Sequence, residues 1–262
     1  MMEVIVLGGL GLAFSMFLLY ISARFEVRGS LEEETILGLL PGANCGACGF
    51  ASCREMASAV LSNPDYLSRC RVLEPENRRK IQEMLGVKVE EAIKMVARIG
   101  CTFETGDRFE YRGVITCTAA NLVSGGFKQC RYACLGLGDC ARVCPFGAIS
   151  VRDGRVLIDE NKCTGCGLCV SACPRGVIRL TEAGAAVFVA CSSRDEGKVV
   201  VKVCRSGCTG CGLCARSCPV NAIKIENNLA VIDYSLCTGC GKCAEVCPRK
   251  TIVRLGAGAP GS

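Results

Sequence analysis

Cys208-Thr-Gly-Cys211-Gly-Leu-Cys214-Ala-Arg-Ser-Cys218-Pro219 is answered 29 positions later by Cys237-Thr-Gly-Cys240-Gly-Lys-Cys243-Ala-Glu-Val-Cys247-Pro248. Both stretches read C-x2-C-x2-C-x3-C-P. Thiolates at that spacing hold iron–sulfur cubanes, and the fourth cysteine of each run crosses to the cluster of the other run. One [4Fe-4S] cluster therefore takes Cys208, Cys211, Cys214 and Cys247, and a second takes Cys237, Cys240, Cys243 and Cys218. Zinc also accepts C-x2-C pairs, but a third cysteine after two more residues, followed by x3-C-P, has no role in a tetrahedral pair.

This is the pattern of bacterial two-cluster ferredoxins. Gly210 and Gly239 let the loops turn tightly and aim N–H groups at sulfur. Pro219 and Pro248 fix φ and remove a donor where each loop stops. Ile223 and Ile252, each four residues past its proline, are placed to wall a cluster with apolar surface.

The chain then repeats itself, because residues 130–180 align with 204–254. Cys134, Cys140 and Cys144 fall on Cys208, Cys214 and Cys218, and Cys163, Cys166, Cys169 and Cys173 on Cys237, Cys240, Cys243 and Cys247. Pro145, Pro174, Ile149 and Ile178 have their counterparts too. Ile158-Asp159 and Ile232-Asp233 stand on matching strands just before the second cysteine run. One position breaks the match: Leu137 sits where the second copy has Cys211. Cys130, four residues before Cys134, is the replacement that spacing suggests. That gives a cluster on Cys130, Cys134, Cys140 and Cys173, with its partner on Cys163, Cys166, Cys169 and Cys144.

Upstream, Cys45-Gly-Ala-Cys48-Gly-Phe-Ala-Ser-Cys53 and Cys70 supply four thiols at a different spacing, which reads as a separate small one-cluster domain. It follows a capping box, Ser30-Leu-Glu-Glu33, that opens a short helix ending before Pro41-Gly42. Residues 74–97 read as charged and helical with a break at Gly86. Four cysteines remain: Cys101 and Cys117 before the first copy, Cys191 and Cys204 before the second. Cys101 and Cys191 each end an apolar, strand-like run. The symmetric placement suggests a sixth cluster held between the two halves, and buried apolar thiols are the other reading. Cys204 aligns with Cys130, so those two could exchange roles.

Val4 to Ala23 is twenty residues without a charge, followed by Arg24 and Arg28. Hydropathy alone predicts an uncleaved membrane-spanning helix with the rest of the chain in the cytoplasm. Gly9 with Ala13, and Gly11 with Ser15, are spaced to pack on a neighbouring helix.

The expected class is α+β. A transmembrane anchor (1–24) precedes a four-Cys [4Fe-4S] domain (25–85) and a connector with Cys101 and Cys117 (86–129). A variant two-cluster ferredoxin module (130–181) follows, then a connector with Cys191 and Cys204 (182–205), a regular two-cluster module (206–254) and a flexible tail (255–262).

Composition narrows the function. Of 262 residues 24 are cysteine and none is histidine, which excludes Rieske centres, histidine-ligated haem and His/Cys zinc sites, and removes the commonest general base. Thiols at metal spacings must stay reduced, which points to a cytosol-facing compartment. The formal charge of +6 counts cysteines as neutral. With five [4Fe-4S]2+ clusters on thiolates the holoprotein falls to about −4, and with six to about −6. No nucleic-acid partner is therefore expected. No glycine-rich loop of the dinucleotide-binding kind is present, so no nicotinamide site is expected on this chain.

Taken together, the apolar N-terminus, Leu39-Leu-Pro-Gly-Ala-Asn-Cys-Gly-Ala-Cys-Gly, the variant Cys134-Leu-Gly-Leu-Gly-Asp-Cys140 and the regular second module occur in an order that resembles one family. It is that of the B subunits, in their long form, of Rnf-type ion-translocating ferredoxin:NAD+ oxidoreductases of bacterial membranes. The resemblance spans essentially the whole chain. It implies an electron-transfer subunit at the inner (cytoplasmic) membrane, anchored by a single pass with its Fe–S domains on the cytoplasmic side. Such a subunit takes electrons from soluble ferredoxin and relays them to membrane and flavin-bearing partner subunits. NAD+ reduction and Na+ or H+ translocation reside on those partners, and flow is reversible. Two other readings use the same features: a polyferredoxin subunit of a hydrogenase or formate dehydrogenase, and a module that docks on or activates a corrinoid protein.

Overall fold

The computed structural model describes residues 2–24, 30–88 and 93–255, with side chains of the first helix described from Gly8 to Ile21. Glu3's side chain, Arg28 and the tail from Gly256 to Ser262 lie outside the described residues.

Val4 to Ala23 belongs to helix α1 (Met2–Arg24). The membrane anchor expected there is corrected: among the described residues no helix is long and apolar enough to cross a membrane. The single-pass topology expected through this segment is corrected with it.

The first cysteine domain is a small helical fold. In α2 (Leu31–Leu39) the Ser30 side chain accepts the Glu33 N–H, so the expected cap is formed. In α3 (Cys53–Ser62) Ser52 accepts from the Glu55 N–H, and the Glu55 carboxylate accepts from the Ala51 N–H at 2.7 Å. A 3-10 turn (Pro64–Arg69) leads to α4 (Pro75–Leu85), which ends on Gly86 in the left-handed conformation at φ 65°. Ile36, Met56, Val60, Leu67 and Ile81 form the fully buried core. The buried Arg78 crosses it, donating to the carbonyls of Leu67 and Cys70 at 2.8 and 2.7 Å and so fixing the segment that presents Cys70.

Two modules of like design follow. In the first, β1 (Met95–Ile99) pairs antiparallel with β4 (Ile178–Glu182). The segment read as helical up to residue 97 thus ends in a strand, because Val96 and Ala97 are needed under the sheet. Between them come α5 (Cys117–Leu122), α6 (Asp139–Arg142), the hairpin β2 (Ile149–Arg152)–β3 (Arg155–Ile158), and α7 (Leu168–Ser171). In the second, β5 (Val187–Val189) pairs with β8 (Ile252–Arg254) and encloses α8 (Gly197–Val203), α9 (Leu213–Arg216), the hairpin β6 (Ile223–Glu226)–β7 (Leu229–Ile232) and α10 (Lys242–Glu245). The hairpins turn on Asp153-Gly154 and Asn227-Asn228, each with φ between 48° and 71°, the primed turn that matches strand twist.

Each sheet has only two strands, too little to sustain a module by itself. The cores are correspondingly built around thiols: Cys134, Cys140, Cys163 and Cys169 in one, Cys191, Cys214 and Cys243 in the other.

Candidate metal centres

All 24 cysteines are free thiols, and they gather in fours. Cys208, Cys211, Cys214 and Cys247 line one apolar cavity, with Ile252 in its wall. Cys144, Cys163, Cys166 and Cys169 line a second with Ile149. Cys45, Cys48, Cys53 and Cys70 line a third. These are the groupings expected from spacing, including the crossing of the fourth cysteine. Cys237, Cys240 and Cys243 stand close enough for their charges to interact, and Cys218 packs in the same core.

The fourth cavity differs from expectation. Cys134, Cys140 and Cys173 are joined there by Cys117, and Ile178 is in the wall. Cys130, which spacing favoured, is elsewhere. The reason lies in Asp139. Its carboxylate accepts the N–H groups of Cys117 and Thr118 at 2.9 and 3.0 Å and the Thr118 hydroxyl at 3.0 Å. It thereby draws the start of α5 against the variant loop. Burial opposes the charge on Asp139, but these donors and Arg142 hold its carboxyl below the usual range. Leu137, the residue in place of a cysteine, packs with Leu135, Phe127 and Cys117 in a small apolar cluster. The one signal in the sequence was Asp139 itself, an acid where the second copy has Leu213.

Cys130 lies instead with Cys101, Cys191 and Cys204, whose charges all act on it. Among the described residues no three Cys, Asp or Glu side chains close on a point as a single ion requires.

Backbone conformation shapes these loops. Gly165, between Cys163 and Cys166, has φ +68°, and a Cβ there would run into the Met95 carbonyl oxygen. Gly136 in the variant loop has φ +70° and packs so closely on Gly154 that a Cβ would overlap the carbonyl oxygen of that residue. N–H groups reach sulfur across the loop–strand contact at Cys163, and within four residues of chain at Cys218 and Cys247. Ala97 N–H donates to Cys163 Sγ at 3.3 Å, Ala222 N–H to Cys218 Sγ at 3.3 Å, and Thr251 N–H to Cys247 Sγ at 3.4 Å.

Burial pushes the thiols up, Cys134 and Cys169 to about 12 and Cys140 and Cys214 to about 11. Burial acts the same way on Cys247, but N–H donors from Thr251, Arg249 and Ile252 bring it below the ordinary value. A set of four buried thiols suits a ligand that brings its own positive charge, as the irons of a cubane do.

A second observation fits such a ligand. Arg175 lines the Cys117 cavity, and its Nε and Nη2 are buried with no partner among the described residues. Burial lowers its guanidinium, while Cys130, Cys173 and Cys134 act to hold it up. An orphaned cation among thiols is costly, and an anionic [4Fe-4S] thiolate group answers it. The residues fit the cofactor.

Comparison with known proteins agrees with the geometry. An Fe-S cluster domain family matches residues 40–72. The 4Fe-4S dicluster domain family matches 129–177, 162–222 and 207–251, which supports [4Fe-4S] clusters in both modules. The chain is 40% identical over 90% of its length to the B subunit of the proton-translocating ferredoxin:NAD(+) oxidoreductase complex of Clostridium ljungdahlii, covering 84% of that protein. It is 38% identical over 88% of its length to the B subunit of the Na(+)-translocating complex of Acetobacterium woodii, covering 70%. It is likewise 38% identical over 88% to the B subunit of the ion-translocating oxidoreductase complex of Methanosarcina acetivorans, covering 89%. With identity at this level over nearly the whole chain, the protein belongs to the family of B subunits of ion-translocating ferredoxin:NAD+ oxidoreductase (Rnf) complexes.

Proposed function

We propose that this chain carries electrons between reduced soluble ferredoxin and the partner subunits of a membrane-associated Rnf-type complex, where NAD+ reduction and Na+ or H+ translocation take place. The observation that carries this reading is the gathering of thiols in fours around apolar cavities, with Cys247 seated beside Cys208, Cys211 and Cys214 and Cys144 beside Cys163, Cys166 and Cys169.

Five sites follow. They are Cys45, Cys48, Cys53 and Cys70; Cys117, Cys134, Cys140 and Cys173; Cys144, Cys163, Cys166 and Cys169; Cys208, Cys211, Cys214 and Cys247; and Cys218, Cys237, Cys240 and Cys243. A [4Fe-4S] group on four thiolates supplies one-electron chemistry at a potential set by charge, N–H···S bonds and exposure.

The residues set those terms differently along the chain. Cys211 and Cys240 are exposed, both in the second module, so that module is where a soluble donor can approach closely. The first domain, at the other end of the chain from that module, is left to face the partner subunits. Free thiols throughout favour the reducing, cytoplasmic side for the cluster-bearing part.

The test is anaerobic purification with iron and acid-labile sulfide analysis, then EPR after mixing with reduced ferredoxin. At least about 20 iron atoms per chain and signals that grow on mixing are expected. Zinc in place of iron, or iron that reduced ferredoxin leaves oxidised, would overturn the reading.

A further inference from the structure

With Cys117 placed in the variant cavity, four cysteines stand outside the five sites: Cys101, Cys130, Cys191 and Cys204. They are related by the internal repeat. Cys101 and Cys191 each come two residues after a strand, β1 and β5, and Cys130 and Cys204 each come four residues before the first cysteine of a module.

Polar contacts draw the four together across the two halves. The Ser192 hydroxyl donates to the Gly100 carbonyl at 2.9 Å, joining the residues next to Cys191 and Cys101. Thr102 Oγ1 lies 3.9 Å from Cys204 Sγ. Thr105 Oγ1 accepts the Cys130 N–H at 3.2 Å and donates to the carbonyl of Val203, the neighbour of Cys204, at 2.6 Å.

The sulfurs receive donors in a mirrored way. Cys101 Sγ accepts from the N–H of Phe103 at 3.4 Å and of Cys134 at 3.5 Å. Cys191 Sγ accepts from the N–H of Ser193 and of Cys208, both at 3.4 Å. These distances match the N–H···S bonds at Cys163, Cys218 and Cys247. A neutral core thiol is a weak acceptor and has no use for two amide donors, whereas a cluster-bound thiolate does.

We propose that Cys101, Cys130, Cys191 and Cys204 form a sixth [4Fe-4S] site on the joint between the two modules, with two ligands from each. The proposal rests on the electron-carrying reading above and deepens it. On binding, each thiol gives its proton to solvent and forms one S–Fe bond, with no change of oxidation state. Cys134 and Cys208, which donate to this site's sulfurs, are themselves residues of the neighbouring sites on either side. The joint site therefore connects the halves physically, through protein contacts as short as a hydrogen bond.

The test uses the full chain, purified anaerobically. Native mass spectrometry of the unaltered protein is expected to give the mass of six cubanes, with about 24 iron and 24 sulfide per chain. The double variant Cys130→Ala/Cys204→Ala is expected to lose about four of each while the remaining EPR signals persist. Limited proteolysis of that variant should cut between the modules faster than in the unaltered chain. An unaltered protein that stops at five cubanes, with iron unchanged in the variant, overturns the sixth site and leaves the electron-carrying reading standing. An unaltered protein without iron overturns both.

Discussion

Replacing Arg175 by glutamine should make one cluster harder to reduce without removing it. The guanidinium has buried Nε and Nη2 atoms without a partner among the described residues, lines the Cys117, Cys134, Cys140 and Cys173 cavity and interacts with the charges of Cys130, Cys173 and Cys134. A cubane on four thiolates goes from a net charge of about −2 to about −3 on reduction. A fixed cation beside it therefore stabilises the reduced form, and its loss moves the potential negative. One unit charge at about 7 Å in an effective dielectric of about 20 contributes about 2.4 kcal/mol, which is about 100 mV on a one-electron couple. Arg175 is only half-buried, and screening by the solvent that reaches it brings the expected shift to about 50–100 mV. The assay is an EPR-monitored redox titration of Arg175→Gln beside the unaltered chain, with iron content measured on both. Arg175→Lys, which keeps the charge, should recover most of the shift. A positive shift, or none, in Arg175→Gln with iron content unchanged would refute the assignment of this cation to the cluster.

Four further outcomes test the architecture. Cys117→Ala should lose about four iron atoms per chain, and adding Leu137→Cys, at the position of Cys211, should restore them; iron analysis decides, and iron unchanged in Cys117→Ala would remove Cys117 from the site. Gly165→Ala should destabilise the first module by about 2–4 kcal/mol, since a left-handed conformation costs an L-residue about 1–2 kcal/mol and the Cβ would run into the Met95 carbonyl. Denaturant melts and iron loading would show it, and an unchanged midpoint would count against the loop packing. Arg98→Met should cost about 3 kcal/mol, because Arg98 is 5% exposed, pairs with Glu160 at 2.8 Å and donates to Thr181 at 2.7 Å. Glu160→Gln should cost about 1 kcal/mol or less, its carboxylate being 42% exposed; equal losses would be inconsistent with that burial. Iron removal by chelation should collapse most far-UV circular dichroism of both modules, as two-stranded sheets over thiol-rich cores cannot hold alone; a native-like spectrum would argue otherwise.

Hydropathy read Val4 to Ala23 as a membrane span, and among the described residues no helix meets that requirement. A run of apolar letters fixes composition alone, while spanning is a property of the helix that the folded chain presents.

The cysteine spacing by itself determined the repeated modules, the seating of Cys247 and Cys144 beside the cysteines of the other run, and the separate Cys45–Cys70 group. Those groupings are set by loops of two or three residues, and the one crossing thiol follows from the pseudo-symmetry of the repeat. Only the tertiary structure brought Cys117 rather than Cys130 into one cavity with Cys134, Cys140 and Cys173, set Cys130 with Cys101, Cys191 and Cys204, and placed Arg175 among thiols. These placements depend on Asp139 gripping a segment 22 residues away and on Thr105 reaching Val203 across 98. Short-range spacing is written in backbone geometry, whereas contacts at such separations exist only once the intervening chain has packed, so no local pattern of residues announces them.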